Sequence, residues 1–152
     1  GGLLQPLEIP ERVWEHVSMD LITDLPTTTK GHDCLLVIVD KLSKMVHLAP
    51  CKKTLTGKEC ADLFRDYVIR LHGVPRKLIT DRDTRFRGKF MDALTTALGI
   101  HQALSTSFHP QTDGQTERMN QLVEDVMRNY VSAIQRDWDE WLAHAEFSIT
   151  DV

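Results

Sequence analysis

Met119, Leu122, Val123, Val126, Met127, Tyr130, Val131 and Ile134 recur at spacings of 3, 1, 3, 1, 3, 1 and 3, which is the period of one face of an α-helix. A stripe this regular has to be buried. Asp33-Cys34-Leu35-Leu36-Val37-Ile38-Val39-Asp40 is a continuous apolar run of the kind found in a strand covered on both faces. A first strand is predicted over about Trp14 to Ile22 and a third over Met45 to Ala49, after the turn Lys41-Leu42-Ser43-Lys44. Short connections make these three an antiparallel meander.

Helices and strands then alternate. Thr56 to Leu71 reads as a helix with Ala61, Phe64, Val68 and Leu71 on one face, closed by Gly73 and Pro75. Lys77 to Thr80 is a strand, Phe86 to Leu98 a helix ended by Gly99, and Ile100 to Leu104 a fifth strand. After the long striped helix, a last one is expected over Trp138 to Ile149, burying Trp141, Leu142 and Ala145. A meander followed by parallel crossovers resembles the α/β architecture called ribonuclease H-like, a mixed five-stranded sheet flanked by helices. Residues 1–11, with Pro6 and Pro10, read as an extended lead-in continued from a longer polypeptide, and residues 12–152 as a single domain.

A chain of 152 residues can bury a real core, and 41% apolar with 26% charged residues is an ordinary globular balance. No apolar run approaches the roughly 20 residues that cross a bilayer, and no membrane partner or secretion signal is expected. The cysteines Cys34, Cys51 and Cys60 are odd in number and lack zinc-knuckle spacing, so they are read as reduced packing residues in an intracellular protein. The net charge of −4 argues against nucleic-acid binding by bulk electrostatics. Its distribution is uneven: residues 65–89 hold eight bases against three acids, and residues 113–146 eight acids against three bases. The basic segment surrounds Asp81 and could meet phosphates there.

Asp20, Asp81 and Glu117 stand out as candidate ligands. Asp20 interrupts the mostly apolar first strand, where a carboxylate costs desolvation unless it is paired or metal-bound. Asp81 sits at the tip of the fourth strand, although Asp81 and Asp83 also suit a turn. Glu117 follows the turn-rich stretch Phe108 to Thr116 and is expected to open the long helix, sharing a polar face with Asn120, Gln121 and Glu124. A solvated first-turn acid, favoured by the helix dipole, is the plain alternative there. Carboxylates gathered at one sheet edge repel one another unless a cation neutralises them, so the trio implies metal. No nucleophile elbow, phosphate-binding glycine loop or His-Glu-x-x-His helix competes. His101, His109 and Asp113 lack the spacing and ligand count of a zinc site.

Five blocks resemble the catalytic core of retroviral-type integrases, above all those of gypsy-type long-terminal-repeat retrotransposons: Trp14 to Asp20, Val39 to Lys44, Leu71 to Pro75, Thr80 to Asp83, and His109 to Arg118. The resemblance runs from about Pro6 to Phe147. It implies that Asp20, Asp81 and Glu117, with 35 residues between the second and third, are the catalytic metal ligands for two Mg²⁺ or Mn²⁺ ions. It implies a polynucleotidyl transferase acting on retroelement DNA ends and target DNA, working in the nucleus after transit in a cytoplasmic particle. Arg82, Gln111, Gln115, Arg118, Asn120 and Gln121 are the candidate DNA contacts. Gln121 and Glu124 occupy places where retroviral cores often carry lysines. A homodimer or higher multimer is expected, with apolar surface supplied by Phe64 and by Trp138 or Trp141. An excised core that stops before the family's final helix would explain the missing zinc and C-terminal domains. The alternative function is a domesticated integrase-like DNA-binding or scaffold module without catalysis.

Overall fold

The computed structural model describes the backbone of residues 9–105 and 110–150, and the side chains of 9–105 and 121–149. β1 (His16–Ile22), β2 (Cys34–Asp40) and β3 (Val46–Cys51) form the meander, and β4 (Lys77–Thr80) and β5 (His101–Leu104) join it in parallel. The sheet order is β3-β2-β1-β4-β5, so the strand carrying Asp20 is central. β1 begins two residues later than expected because Trp14 lies at φ 64°, outside the extended region. β3 runs on to Cys51, two residues past the expected end.

β2 is buried along its whole length because its alternating side chains feed two cores. Cys34, Leu36 and Ile38 enter the first, with Val17, Met19, Phe64, Val68, Phe86 and Met91. Leu35, Val37 and Val39 enter the second, with Val123, Met127, Val131, Trp138 and Leu142. The regular stripe in the sequence is thus the lid of the second core. Val123, Met127 and Val131 are buried, while Ile134, at its end, is exposed.

The helix after β3 comprises α1 (Gly57–Phe64), a π-helical turn (Arg65–Ile69) and α2 (Arg70–His72). Thr56 caps it: its hydroxyl accepts from the Glu59 N–H at 3.2 Å, and the Glu59 carboxylate accepts from the Thr56 N–H at 3.4 Å. Thr56→Ala is expected to cost about 1 kcal/mol, measured by urea unfolding; an unchanged midpoint would show that the cap contributes nothing. The wider π turn rotates α2 around the helix axis, which removes Leu71 from the expected buried face and leaves it 58% exposed. Gly73, at φ 88°, ends the helix in a conformation other residues resist.

The expected helix over Phe86 to Leu98 is two pieces, α3 (Thr84–Arg87) and α4 (Lys89–Leu98). Gly88 makes the break: a Cβ there would lie 2.6 Å from the Thr84 carbonyl oxygen. Gly99, in the left-handed region, ends α4 as the sequence predicts.

The largest departure is α5, which spans Pro110–Ile134. The turn formers of residues 111–116 predict a loop, with Glu117 in the first helical turn. These residues are helical instead, so Glu117 lies in the helix's third turn and Gly114 is inside it. Proline suits the first helical position, where its missing N–H has no intrahelical partner to lose. Phe108 and His109 lie outside the described residues.

A 3₁₀ segment (Gln135–Trp141) leads into α6 (Leu142–Thr150). Here Trp138, not Trp141, is fully buried, and its indole N–H donates to the Pro26 carbonyl at 2.7 Å. Trp138, Leu142, Ala145 and Ile149 follow a 4, 3, 4 spacing that makes one face. Trp141 sits at its margin, 48% exposed and stacked on His144. Glu146 accepts from the Leu48 N–H at 2.8 Å and so covers part of the edge of β3. Phe64 and Trp138 are spent inside the chain's own core and supply no surface for self-association.

Candidate active site and metal centre

Parallel pairing of β1 with β4 matches Ser18 to Ile79. Two residues further along each strand come Asp20 and Asp81, which the register brings level at the C-terminal side of the sheet. Because side chains alternate along β1, Asp20 points away from Met19 and Leu21, toward the face covered by α5. There it lines a cavity of about 190 Å³ with Leu21, Ile22, Val37, Val123 and Glu124.

Asp20 is half-buried, and its pKa is raised to about 6. Burial is the largest cause, followed by the negative charges of Asp81 and Glu124 and by a hydrogen bond shared with Asp81. A buried carboxyl beside other acids tends to keep its proton when no cation is near, and a divalent ion would take the proton's place at Asp20. The donor set therefore fits a hard metal. Among the described residues, no group of three or more His, Cys, Asp or Glu side chains could hold an ion. The described part of the site is the aspartate pair with Glu124 at its side.

The loop after β4 is ordered by its own acids. Asp81 accepts from the Asp83 N–H at 2.9 Å. Asp83 caps α3 by accepting from the Arg85 N–H at 2.9 Å and takes two further bonds from the Arg85 guanidinium at 2.9 and 2.8 Å. The Arg85 hydrogen bond holds the Asp83 carboxyl below its usual pKa. Arg85 in turn donates to the Lys53 carbonyl at 2.8 Å, fixing the loop to the end of the meander. Asp83 is occupied structurally, so Asp83→Asn, which can still cap, is expected to keep activity within about tenfold and cost at most about 1 kcal/mol. Parallel turnover and unfolding measurements check this, and an inactive but folded Asp83→Asn protein would make Asp83, not Asp81, the ligand at this strand end.

Arg82 is exposed at an open groove with Lys53, Thr84 and Arg85. Gln121 is exposed on α5 and donates to Asp125 at 2.9 Å. Glu117 and the candidates Gln111, Gln115, Arg118 and Asn120 all fall on α5, but their side chains lie outside the described residues. The sequence puts Glu124 on the polar face that begins at Glu117, two turns further along and beyond direct reach of the ions; in the structure it lines the Asp20 cavity. Its Oε1 also accepts from Arg128 at 3.2 and 2.8 Å. One signal for this is present in the sequence: Glu124 adjoins Val123 of the buried stripe, so it borders the face that meets the sheet.

The family model described as integrase core domain matches residues 10–110. The transposon Tf2-3 polyprotein of Schizosaccharomyces pombe is 40% identical over 137 residues, covering 90% of this chain and 10% of the polyprotein. The chain thus spans about a tenth of the length of the curated relatives it matches. Among solved structures, the catalytic core domain of BIV integrase overlays with a TM-score of 0.68 at 20% identity, covering 89% of this chain and 82% of that one. The HTLV-2 integrase catalytic core domain, in a trimeric form in complex with magnesium, overlays with a TM-score of 0.62 at 23% identity, covering 88% and 83%. These overlays show a common ribonuclease H-like fold.

Proposed function

Because the chain belongs to the integrase core domain family, we propose that it is a polynucleotidyl transferase that trims retroelement DNA ends and joins them into target DNA. The observation that carries this reading is the Asp20–Asp81 pair, one carboxylate on β1 and one just past the end of the adjacent parallel β4, the first with its pKa raised to about 6 by burial and by the second. Asp20, on the central strand, Asp81 and Glu117 would together hold two Mg²⁺ or Mn²⁺ ions. When bound, such a pair activates the attacking water or 3′-hydroxyl and stabilises the leaving oxygen of an in-line displacement.

The chain's own residues supply position. β1 and β4 hold the aspartates on rigid backbone, and the Asp83–Arg85 clamp keeps the Asp81 loop from wandering. Val123 and Val37 line the cavity beside Asp20 with apolar surface. Arg82 and Arg118 would meet phosphates, and Gln111, Gln115, Asn120 and Gln121 would contact the DNA along α5. Exposed Trp141 and Phe147 leave apolar surface for a homodimer or higher multimer. Joining to chromosomal target DNA would place the work in the nucleus.

One observation favours a second reading of the third ligand: among the described side chains, which do not include Glu117, Glu124 is the glutamate beside Asp20. The overall function is tested with a branched DNA that mimics a strand-transfer product. With Mn²⁺ the chain is expected to resolve it into two duplexes, and chelation should stop the reaction. Tight binding of the branched DNA without any cleavage would favour the non-catalytic scaffold instead.

A further inference from the structure

The three cysteines take no part in the proposed chemistry, yet the fold brings them together. Cys34 and Cys51 are directly opposed in the antiparallel β2–β3 pairing, so their side chains leave the same face of the sheet. Both enter the first core, beside Cys60 of α1. Opposed residues of such a pair have Cα atoms about 4.5 to 5.5 Å apart, inside the range of about 4.4 to 6.8 Å that a disulfide spans. The two thiols interact closely enough to shift each other's titration, and all three cysteines are free.

Cys51 is the least buried of the three, 5% exposed against 0% for Cys34 and Cys60. It lines a cavity of about 330 Å³ with His32, Lys52, Leu55 and Leu63, whereas Cys34 is sealed behind it. The pairing with Cys51, with help from Arg85, holds the Cys34 thiol below its usual pKa despite burial, while the same pairing and burial push the Cys51 thiol up. Cys60, whose thiol burial pushes up to about 12, is set apart by its place on α1, where no strand partner faces it.

We propose that Cys34 and Cys51 form a cross-strand disulfide driven by hydrogen peroxide and reversed by thiols. Peroxide enters the cavity and the Cys51 sulfur attacks it, breaking the O–O bond to give a sulfenic acid and one water. The Cys34 sulfur then attacks Cys51, forming the S–S bond and releasing the hydroxyl as a second water. Two thiols lose two electrons, peroxide gains them, and both thiol protons end in water.

The test treats the folded chain with peroxide, alkylates it without reduction and maps the peptides by mass spectrometry. A Cys34–Cys51 cross-linked peptide is expected, with one of the three thiols still open to alkylation and full recovery after dithiothreitol. Cys60→Ser should form the same link, and Cys34→Ser should stop at a Cys51 sulfenic acid that dimedone captures. If the Cys34 variant does not fold, the wild-type peptide map decides alone. Three intact thiols, a Cys51 sulfinic or sulfonic acid without the link, a Cys51–Cys60 bridge or a link between chains would each overturn the proposal.

Discussion

Asp20→Asn is expected to abolish Mn²⁺-dependent strand cleavage and joining while making the metal-free protein more stable. The loss should be at least about 100-fold, since even residues that only orient metal ligands cost about 10- to 100-fold when mutated. The gain in stability comes from the carboxyl's titration. Asp20 has a pKa of about 6 in the folded protein against an ordinary value of 3.8. Between those values the folded state keeps a proton that the unfolded chain has released, so stability falls as pH rises through the window. Above pH 6 the whole cost stands; below 3.8 it vanishes. The difference corresponds to at most about 3 kcal/mol, and an asparagine that still hydrogen-bonds Asp81 should recover about 1 to 3 kcal/mol of it at pH 7.5. Melting curves in chelator at pH 4 and pH 8 separate the two proteins, because the wild type should lose more stability across that range than the variant, which keeps only other raised carboxyls such as Glu146. Adding Mg²⁺ or Mn²⁺ should raise the wild-type melting temperature and leave the variant's unchanged. A variant that still cuts DNA would remove Asp20 from the metal site. A wild-type protein whose stability ignores pH between 4 and 8 would mean that the aspartate pair is solvated rather than buried.

The strands are legible in the sequence because their signal is local. β4 matches its expected bounds, and Gly73 and Gly99 end their helices where the sequence says they should. The start of α5 is not legible, since residues 110–116 hold a proline, a glycine and several turn formers whose propensities point away from a helix. Which of Trp138 and Trp141 is buried depends on the 3₁₀ segment ahead of α6, where the chain kinks at Asp137. The cysteine pair is hidden by two residues: ending β3 at Ala49 leaves Cys51 without a strand partner. At the site, both aspartates can be placed from strand positions alone. How α5 crosses the sheet, and so which of its acids reaches Asp20, depends on the packing of Val123, Met127 and Val131 against β2 and β1. Such contacts between distant segments leave no short-range mark.

That crossing sets up the experiment with the sharpest division of outcomes. Glu117→Gln is expected to lose at least about 100-fold in strand cleavage, and Glu124→Gln to stay within about tenfold of wild type. The two glutamates are seven residues apart on α5, about 10.5 Å along the axis and nearly in line. One set of ions cannot use both equally. Glu124 is already held by Arg128 at 2.8 Å, and a carboxylate in that ion pair would have to leave its partner to bind metal. Its effect on Asp20 is repulsion, which helps keep the aspartate protonated when no ion is present. Removing that charge should therefore flatten the pH dependence of metal-free stability in Glu124→Gln, independently of any activity. Glu117, with the Gly-Gln-Thr block before it and 35 residues between it and Asp81, fits the family's third ligand. An inactive Glu124→Gln protein beside an active Glu117→Gln protein would reverse the assignment. The cavity that Asp20 shares with Glu124 would then be the metal site itself, and Glu117 would be a surface acid two turns up the helix.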